Sequence, residues 1–162
     1  MNGDRAVSAW TGLAAGLLVT IHFLLYPVWA GLAVGPNLLV GGLLLAALHL
    51  RAGHAGLLGF LLGLLEAGMT LDGLGSATLV LTLAGYGAAR ARDLLFADAR
   101  FYAFVYLLAG TWVTDLALRA TGSGDSSFAH AAGAAFVSAL LTAAVAGAVE
   151  AVARSAALSR SG

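Results

Sequence analysis

Two ionisable side chains lie within long apolar stretches of the sequence, and their chemistry needs an explanation. Glu66 and His22 each have apolar neighbours and no basic partner on their own segment. Ionisable groups in such surroundings are costly unless they have a partner or a function. We therefore expect Glu66 and His22, at similar depth, to form a hydrogen-bonded pair or a shared site for a partner's polar group. The alternative is a Glu66 that burial simply keeps protonated.

Two other acids have a basic residue within reach on their own segment. Asp115 precedes Arg119 by four residues, and Glu150 precedes Arg154 by the same spacing. An acid four residues before a base is a favourable arrangement on a helix. We predict a local ion pair at each position, close to a helix end.

Residue spacing gives no indication of an enzyme. The four histidines do not show metal-ligand spacing, no Ser or Thr lies in a nucleophile-elbow context, and no Gly-rich loop precedes a Lys. The chain has no Cys, which excludes disulfides, thiol catalysis and Cys-ligated metals. We expect no catalytic residue, no metal and no cofactor, and a function in binding within the membrane.

The composition places these residues in a membrane. The 162 residues are 60% hydrophobic and only 10% charged, with a mean hydropathy of +0.93. An ordinary soluble domain has about a quarter charged residues. The net charge is zero and the sequence contains no Lys, so it offers no basic patch for nucleic acid. We expect an integral membrane protein that binds no nucleic acid.

Charged residues and turn signals divide the chain into six apolar segments. A span needs about 20 apolar residues, or fewer where flanking arginines reach the interface. The segments are rich in Leu, Ala and Gly and lack the alternation of a barrel strand, which predicts an all-α, polytopic membrane protein. Pro36 is expected to be the first residue of the second helix. The predicted spans, in a single integral membrane domain, are 7–31, 36–50, 55–71, 74–89, 101–118 and 128–153.

The arginines predict the orientation of this bundle. With the N-terminus inside, seven of the eight arginines face the cytoplasm and only Arg119 faces the other side. This is the bias of the positive-inside rule. We expect both termini to lie in the cytoplasm. The expected cytoplasmic anchors are Arg51, Arg90, Arg92 and Arg100.

Small residues recur at a spacing of four on three of the predicted helices. Such a face lets another helix approach closely in lipid. It can pack inside the molecule or bind a partner's helix, and the spacing is the same in both cases. The faces comprise Gly12 and Gly16 in the first helix; Ala55, Gly59, Gly63 and Ala67 in the third; and Ala131, Ala135, Ala139, Ala143, Gly147 and Ala151 in the sixth. We expect a partner helix to bind along the first or the third helix.

Several short motifs, taken in chain order, resemble a known family. They are Gly35-Pro36-Asn37-Leu38-Leu39, Gly59-Phe60-Leu61-Leu62-Gly63-Leu64-Leu65-Glu66, Leu74-Gly75, and Leu83-Ala84-Gly85-Tyr86 followed by Arg90 and Arg92. In this order they resemble the rod shape-determining protein MreD family over about residues 35 to 119. The chain is also similar to that family in its length and number of spans.

The resemblance implies a non-enzymatic inner-membrane subunit of the bacterial cell-elongation complex. Members of that family bind the bitopic protein MreC and, through it, the MreB filament and the peptidoglycan synthase RodA with its transpeptidase partner. The family is similar in architecture to the substrate-binding subunits of energy-coupling-factor vitamin transporters, which implies a compact bundle. A subunit of that transporter type is the alternative function. It would need an outer cavity, which Glu66, His22, Trp112, Asp115 and the loop before His130 would line.

Overall fold

The computed structural model is all-helical and describes residues 2–29, 35–70, 74–95, 100–121 and 128–159. Over these residues it contains six helices, one for each apolar segment predicted from the sequence. They are α1 (Asn2–Trp29), α2 (Leu38–Ala47), α3 (Ala52–Thr70), α4 (Leu74–Leu95), α5 (Arg100–Thr121) and α6 (Phe128–Ser159).

Four of the helices are long and apolar enough to cross a membrane. Their spanning segments are Ala9–Val28, Ala52–Met69, Ala103–Thr121 and Phe128–Ala153. This supports a multi-pass helical membrane protein. Helix α2 has only 10 residues and is therefore about 15 Å long, which is half of the ~30 Å hydrocarbon core. That the chain crosses the membrane six times stays a prediction.

The outward-facing residues agree with a lipid environment. Large apolar side chains are widely exposed: Leu24 is 72% exposed, Leu83 68% and Val152 67%. A soluble monomer rarely exposes apolar surface on this scale. The exposed side chains occur on all sides of the bundle, which is the arrangement expected when lipid tails replace water around it.

The second helix begins later than predicted. Helix α2 starts at Leu38, and Asn37 is its N-cap, with a side-chain oxygen that accepts a hydrogen bond from the backbone N–H of Val40. The prediction that Pro36 is the first helical residue is therefore wrong. Pro36 precedes the N-cap. An Asn side chain can satisfy one of the unpaired N–H groups at a helix start, whereas a Pro at the first position only avoids creating one.

Helices α4 and α6 end later than predicted. Helix α4 continues past Arg90 and Arg92 to Leu95, and α6 continues to Ser159. The predicted ends, at residue 89 for α4 and residue 153 for α6, were placed where each apolar run stops. Arg is a good helix former, so a charge ends the contact with lipid without ending the helix.

Helix α2 is the centre of the molecule. Every one of its residues except Ala46 is buried, and it contacts each of the other five helices. Around it the helices are adjacent in the order α3, α4, α5, α6 and α1, and among the described residues α1 and α3 do not contact each other. The leucines of α2 thus form the core of the bundle. The outer helices expose large apolar side chains on their outward faces.

Candidate functional site

The beginning of α2 is held by side chains from α5 and α6. The first backbone N–H groups of a helix have no partner within the helix, so side chains or water must satisfy them. The backbone N–H of Asn37 donates to Oγ1 of Thr142 on α6, at 2.8 Å. The hydroxyl of Thr142 in turn donates to the carbonyl of Ser138, at 2.8 Å. The start of α2 is therefore joined to the middle of α6.

Asp115 on α5 is the acceptor at the centre of this network. Its Oδ1 accepts a hydrogen bond from Nδ2 of Asn37 at 2.7 Å, and its Oδ2 accepts one from the hydroxyl of Ser138 at 2.6 Å. The Asp115 side chain is buried, with 4% of the residue exposed. An acidic group beside the N-terminus of a helix also interacts favourably with the helix dipole. Asp115 therefore connects α2, α5 and α6 through two short hydrogen bonds.

An open cavity of about 370 Å³ lies beside this network. We call it the Asp115 cavity. Its lining includes Asp115 and Ser138, together with Arg119 from α5 and His22 and Tyr26 from α1. A guanidinium, an imidazole and a carboxyl group at one opening can bind a polar ligand that carries both donors and acceptors. The arrangement is suited to binding.

The end of α2 is held by Arg92 of α4. Nη1 of Arg92 donates to the carbonyl oxygens of Ala47 at 3.1 Å and Leu48 at 2.6 Å. The same guanidinium forms an ion pair with Asp93 through Nη2, at 2.6 Å. The last carbonyls of a helix lack partners in the helix, and a cation there matches the helix dipole. The short central helix thus has an acid from α5 at its start and a base from α4 at its end.

Three pairings of polar residues were predicted, and the described residues differ from the one between Asp115 and Arg119. Asp115 accepts from Asn37 and Ser138, and among the described residues it forms no ion pair with Arg119, which is exposed at the cavity. Helices α1 and α3, which carry His22 and Glu66, do not pack against each other within the described part of the chain. His22 instead makes an edge contact with the ring of Phe23. The second predicted ion pair involves the Arg154 side chain, which lies outside the described residues.

The small-residue face of α3 packs inside the molecule. A Cβ at Gly59 would overlap the backbone of Leu81, and one at Gly63 would lie 2.5 Å from Cα of Thr78. Across the same crossing, a Cβ at Gly85 of α4 would overlap the carbonyl of Ala55. Helices α3 and α4 therefore touch backbone to backbone. The close approach predicted over this face is found. The helix that packs there is α4 of the same chain and not a helix of a partner protein.

The other two small-residue faces have different surroundings. In α6 the middle of the face is fully buried, at Ala135, Ala139 and Ala143. In α1 both Gly12 and Gly16 are exposed, and no described atom outside their own helix lies within 4 Å of where a Cβ would be. The face of α1 is thus open, whereas those of α3 and α6 are occupied.

The predicted cytoplasmic anchors have different roles. Arg51 and Arg90 are exposed, and Nε of Arg90 donates to the hydroxyl of Tyr86 at 3.3 Å. Arg92 binds the end of α2 instead of serving only as an anchor. Arg100 is the first residue of α5, and its side chain lies outside the described residues. Arg51, Arg90 and Arg92 lie at one end of the bundle, which we call the Arg-rich end, and Arg119 lies with Asn37 at the opposite end.

Three residues of the polar network were not singled out by the sequence interpretation. They are Asn37, Ser138 and Thr142. Ser138 and Thr142 are four residues apart, so they share one face of α6, and such hydroxyl groups can hydrogen-bond across helices in lipid. Asn37 follows a Pro and precedes an apolar helix, which is the position of a cap. These signals are present in the sequence.

The structure and the comparisons add no metal site and no family. Among the described residues, no group of three or more His, Asp or Glu side chains is placed to bind a metal ion. No protein-family model matches the chain, and no match was found among curated proteins or solved structures.

Proposed function

We propose that the chain is a membrane docking subunit of the bacterial cell-elongation complex, similar to the MreD family. In this proposal it lies in the inner membrane with six crossings and both termini in the cytoplasm. It binds the transmembrane helix of an MreC-like single-span protein, and through that protein it supports peptidoglycan synthesis by RodA and its partner along the MreB filament. It performs no catalysis of its own.

The open face of α1 is the observation that supports docking. Gly12 and Gly16 have free space above them, and Leu13 and Leu17 beside them are 66% and 56% exposed. In lipid, helices associate by close packing over small residues and not by the hydrophobic effect. The glycines of the α3 and α4 crossing are already in contact, so α1 offers the smooth face that a second helix can approach.

The arginine arrangement supports the proposed orientation. Arg51, Arg90 and Arg92 lie together at the Arg-rich end, and Arg119 lies at the opposite end beside the Asp115 cavity. Under the positive-inside rule the Arg-rich end faces the cytoplasm. In this orientation α1 crosses the bilayer, and a partner's single span would lie against its open face.

Filling the α1 face is expected to release the partner. We expect Gly16→Leu to weaken binding of the single-span partner about tenfold, since overpacking a close contact costs roughly 1–3 kcal/mol. The measurement is co-purification of an MreC-like protein with the tagged full-length chain from membranes of its own organism. Gly133→Leu is the matched control, because Gly133 on α6 is also exposed with free space above it.

A photo-reactive residue at position 17 would identify the partner directly. We expect it to cross-link to a single-span protein with a coiled coil, and the same residue at the 43% exposed Leu141 of α6 to give no such product. Equal retention of the partner by Gly16→Leu and wild type would contradict docking on α1.

The Asp115 cavity favours a second function, that of a substrate-binding subunit of an energy-coupling-factor type transporter. Asp115, His22 and Arg119 line an opening at the end of the bundle opposite to the Arg-rich end. Trp112 and Glu66, which were also expected there, are not among the described lining residues, and Trp112 donates to the carbonyl of Ala132 on α6 at 3.2 Å. Purification of the chain with a small molecule in place of a single-span partner would favour this function.

A further inference from the structure

An apolar groove runs between α4 and α5 on the outside of the bundle. Its volume is about 530 Å³, and almost all of its surface is apolar. Small residues form the walls, among them Ala84 and Gly87 on α4 and Ala109 on α5, and Leu44 of α2 forms part of the floor. Helices α4 and α5 remain close enough to α2 to enclose the groove from behind. It is open on the side that faces lipid.

The length of the groove matches one leaflet of a bilayer. Along α4 its lining extends from Val80 to Ala91, and along α5 from Val105 to Ala117. Twelve and thirteen residues at helical rise span about 17 to 18 Å, whereas one leaflet of the hydrocarbon core is about 15 Å thick. A docked transmembrane helix needs a surface of about 30 Å. The groove therefore fits an extended acyl chain better than a partner's span.

A positive charge lies beside one end of the groove. Arg90 lies seven residues, or two turns, after Leu83, so it lies at the edge of the α4 face that lines the groove, at the Arg-rich end. Arg90 is exposed, its guanidinium lies 5.6 Å from the centroid of the Tyr86 ring, and its described hydrogen bond uses only Nε. Both Nη groups are directed to no described acceptor. A basic side chain at the membrane surface beside an apolar cleft is suited to a phosphate headgroup.

We propose that the α4–α5 groove binds one acyl chain of an anionic phospholipid, whose phosphate pairs with Arg90. The lipid belongs to the leaflet at the Arg-rich end. Arg92 does not serve this site, because its Nη groups bind the end of α2 and Asp93. The inference is independent of the function proposed above, since it uses neither the face of α1 nor the Asp115 cavity.

The test is lipid binding to the purified full-length chain in detergent, followed by native mass spectrometry. Phosphatidylglycerol and phosphatidylcholine with the same acyl chains are the two probes. We expect phosphatidylglycerol to bind roughly fivefold more tightly, because one arginine near an anionic headgroup contributes about 1 kcal/mol. Arg90→Gln should remove this preference, and Gly87→Leu should weaken the binding of both lipids by filling the groove.

Two control variants separate the site from general effects. Arg119→Gln removes an exposed arginine at the opposite end, and Gly133→Leu adds the same side chain to α6; both should leave the lipid preference unchanged. Gly87 has free space above it, so its replacement is not expected to disturb the fold. A preference that survives Arg90→Gln, or lipid binding that is unaffected by Gly87→Leu, would overturn the proposal.

A second measurement distinguishes lipid from protein in the groove. A photo-reactive residue at position 83, used in native membranes, should cross-link to phospholipid, since Leu83 lines the groove and is 68% exposed. Cross-linking to another protein's transmembrane segment at this position would assign the groove to a partner helix and overturn the proposal.

Discussion

Gly59→Ala is expected to lower the melting temperature of the purified chain in detergent by about 10 °C. The added Cβ would overlap the carbonyl of Leu81 and would lie 3.2 Å from Cα of Thr82. Because these are backbone atoms of a packed helix, α3 and α4 would have to separate. We expect a cost of about 3 kcal/mol, at the upper end of overpacking, which corresponds to such a shift in a chain of this length.

Gly68→Ala is the matched control on the same helix. Gly68 is exposed, and no described atom outside its own helix lies within 4 Å of where a Cβ would be. Because Ala forms helix better than Gly by about 1 kcal/mol, this variant should be as stable as the wild type or slightly more stable. Similar melting temperatures for the two variants would show that α3 and α4 do not cross backbone to backbone.

Asp115→Ala is expected to destabilise the bundle by a similar amount. It leaves the Asn37 amide and the Ser138 hydroxyl without their acceptor in a buried position. A buried donor that loses its partner costs about 1–3 kcal/mol, and two are affected, so we expect a loss of about 3 kcal/mol. Thermal unfolding in detergent measures the loss. The start of α2 should also become accessible to hydrogen exchange earlier than its end.

Asp115→Asn is the informative comparison for the same position. The amide keeps one oxygen acceptor and the shape of the side chain, so it should retain about half of the stability lost in Asp115→Ala. Arg119→Ala should have little effect, since Arg119 is exposed and the carboxyl group of Asp115 is bound elsewhere. A larger loss of stability for Arg119→Ala than for Asp115→Ala would support the ion pair predicted from the sequence and contradict the network described here.

The number of helices could be predicted because apolar runs and charges alternate clearly along the chain. Residues such as Arg51 and Arg119 mark places where a run must stop, and each run became one helix. The ends were less predictable. Arg90 ended an apolar run without ending α4, and Pro36 was predicted as the first helical residue although the Asn37 that follows it is a favourable N-cap residue.

Partners between helices could not be predicted, because sequence gives the depth of a residue and not its direction. His22 and Glu66 have similar expected depths, but α1 and α3 are at opposite ends of the arrangement around α2. Asp115 has a base four residues away, yet it faces the start of α2. In the same way Gly59 and Gly16 look alike in sequence, whereas only Gly59 is covered by another helix.

The two ends of α2 explain why a half-length helix can be the core of this bundle. Its apolar side chains contact every neighbour, while its polar ends are satisfied by Asn37 with Asp115 and by Arg92. An acid at the start and a base at the end also match its dipole. Six crossings would place α2 across the bilayer, with its start and its end towards opposite surfaces, and that crossing stays a prediction.

The side of the membrane on which residue 54 lies tests this account most directly. The chain has no Cys, so single cysteines can be introduced without interference. His54 and Ala120 are exposed, and replacing them removes no arginine. With six crossings, a membrane-impermeant maleimide should label Ala120→Cys in intact spheroplasts and His54→Cys only after the membrane is broken. Labelling of both cysteines in intact spheroplasts would show that α2 does not cross the bilayer and would contradict the account.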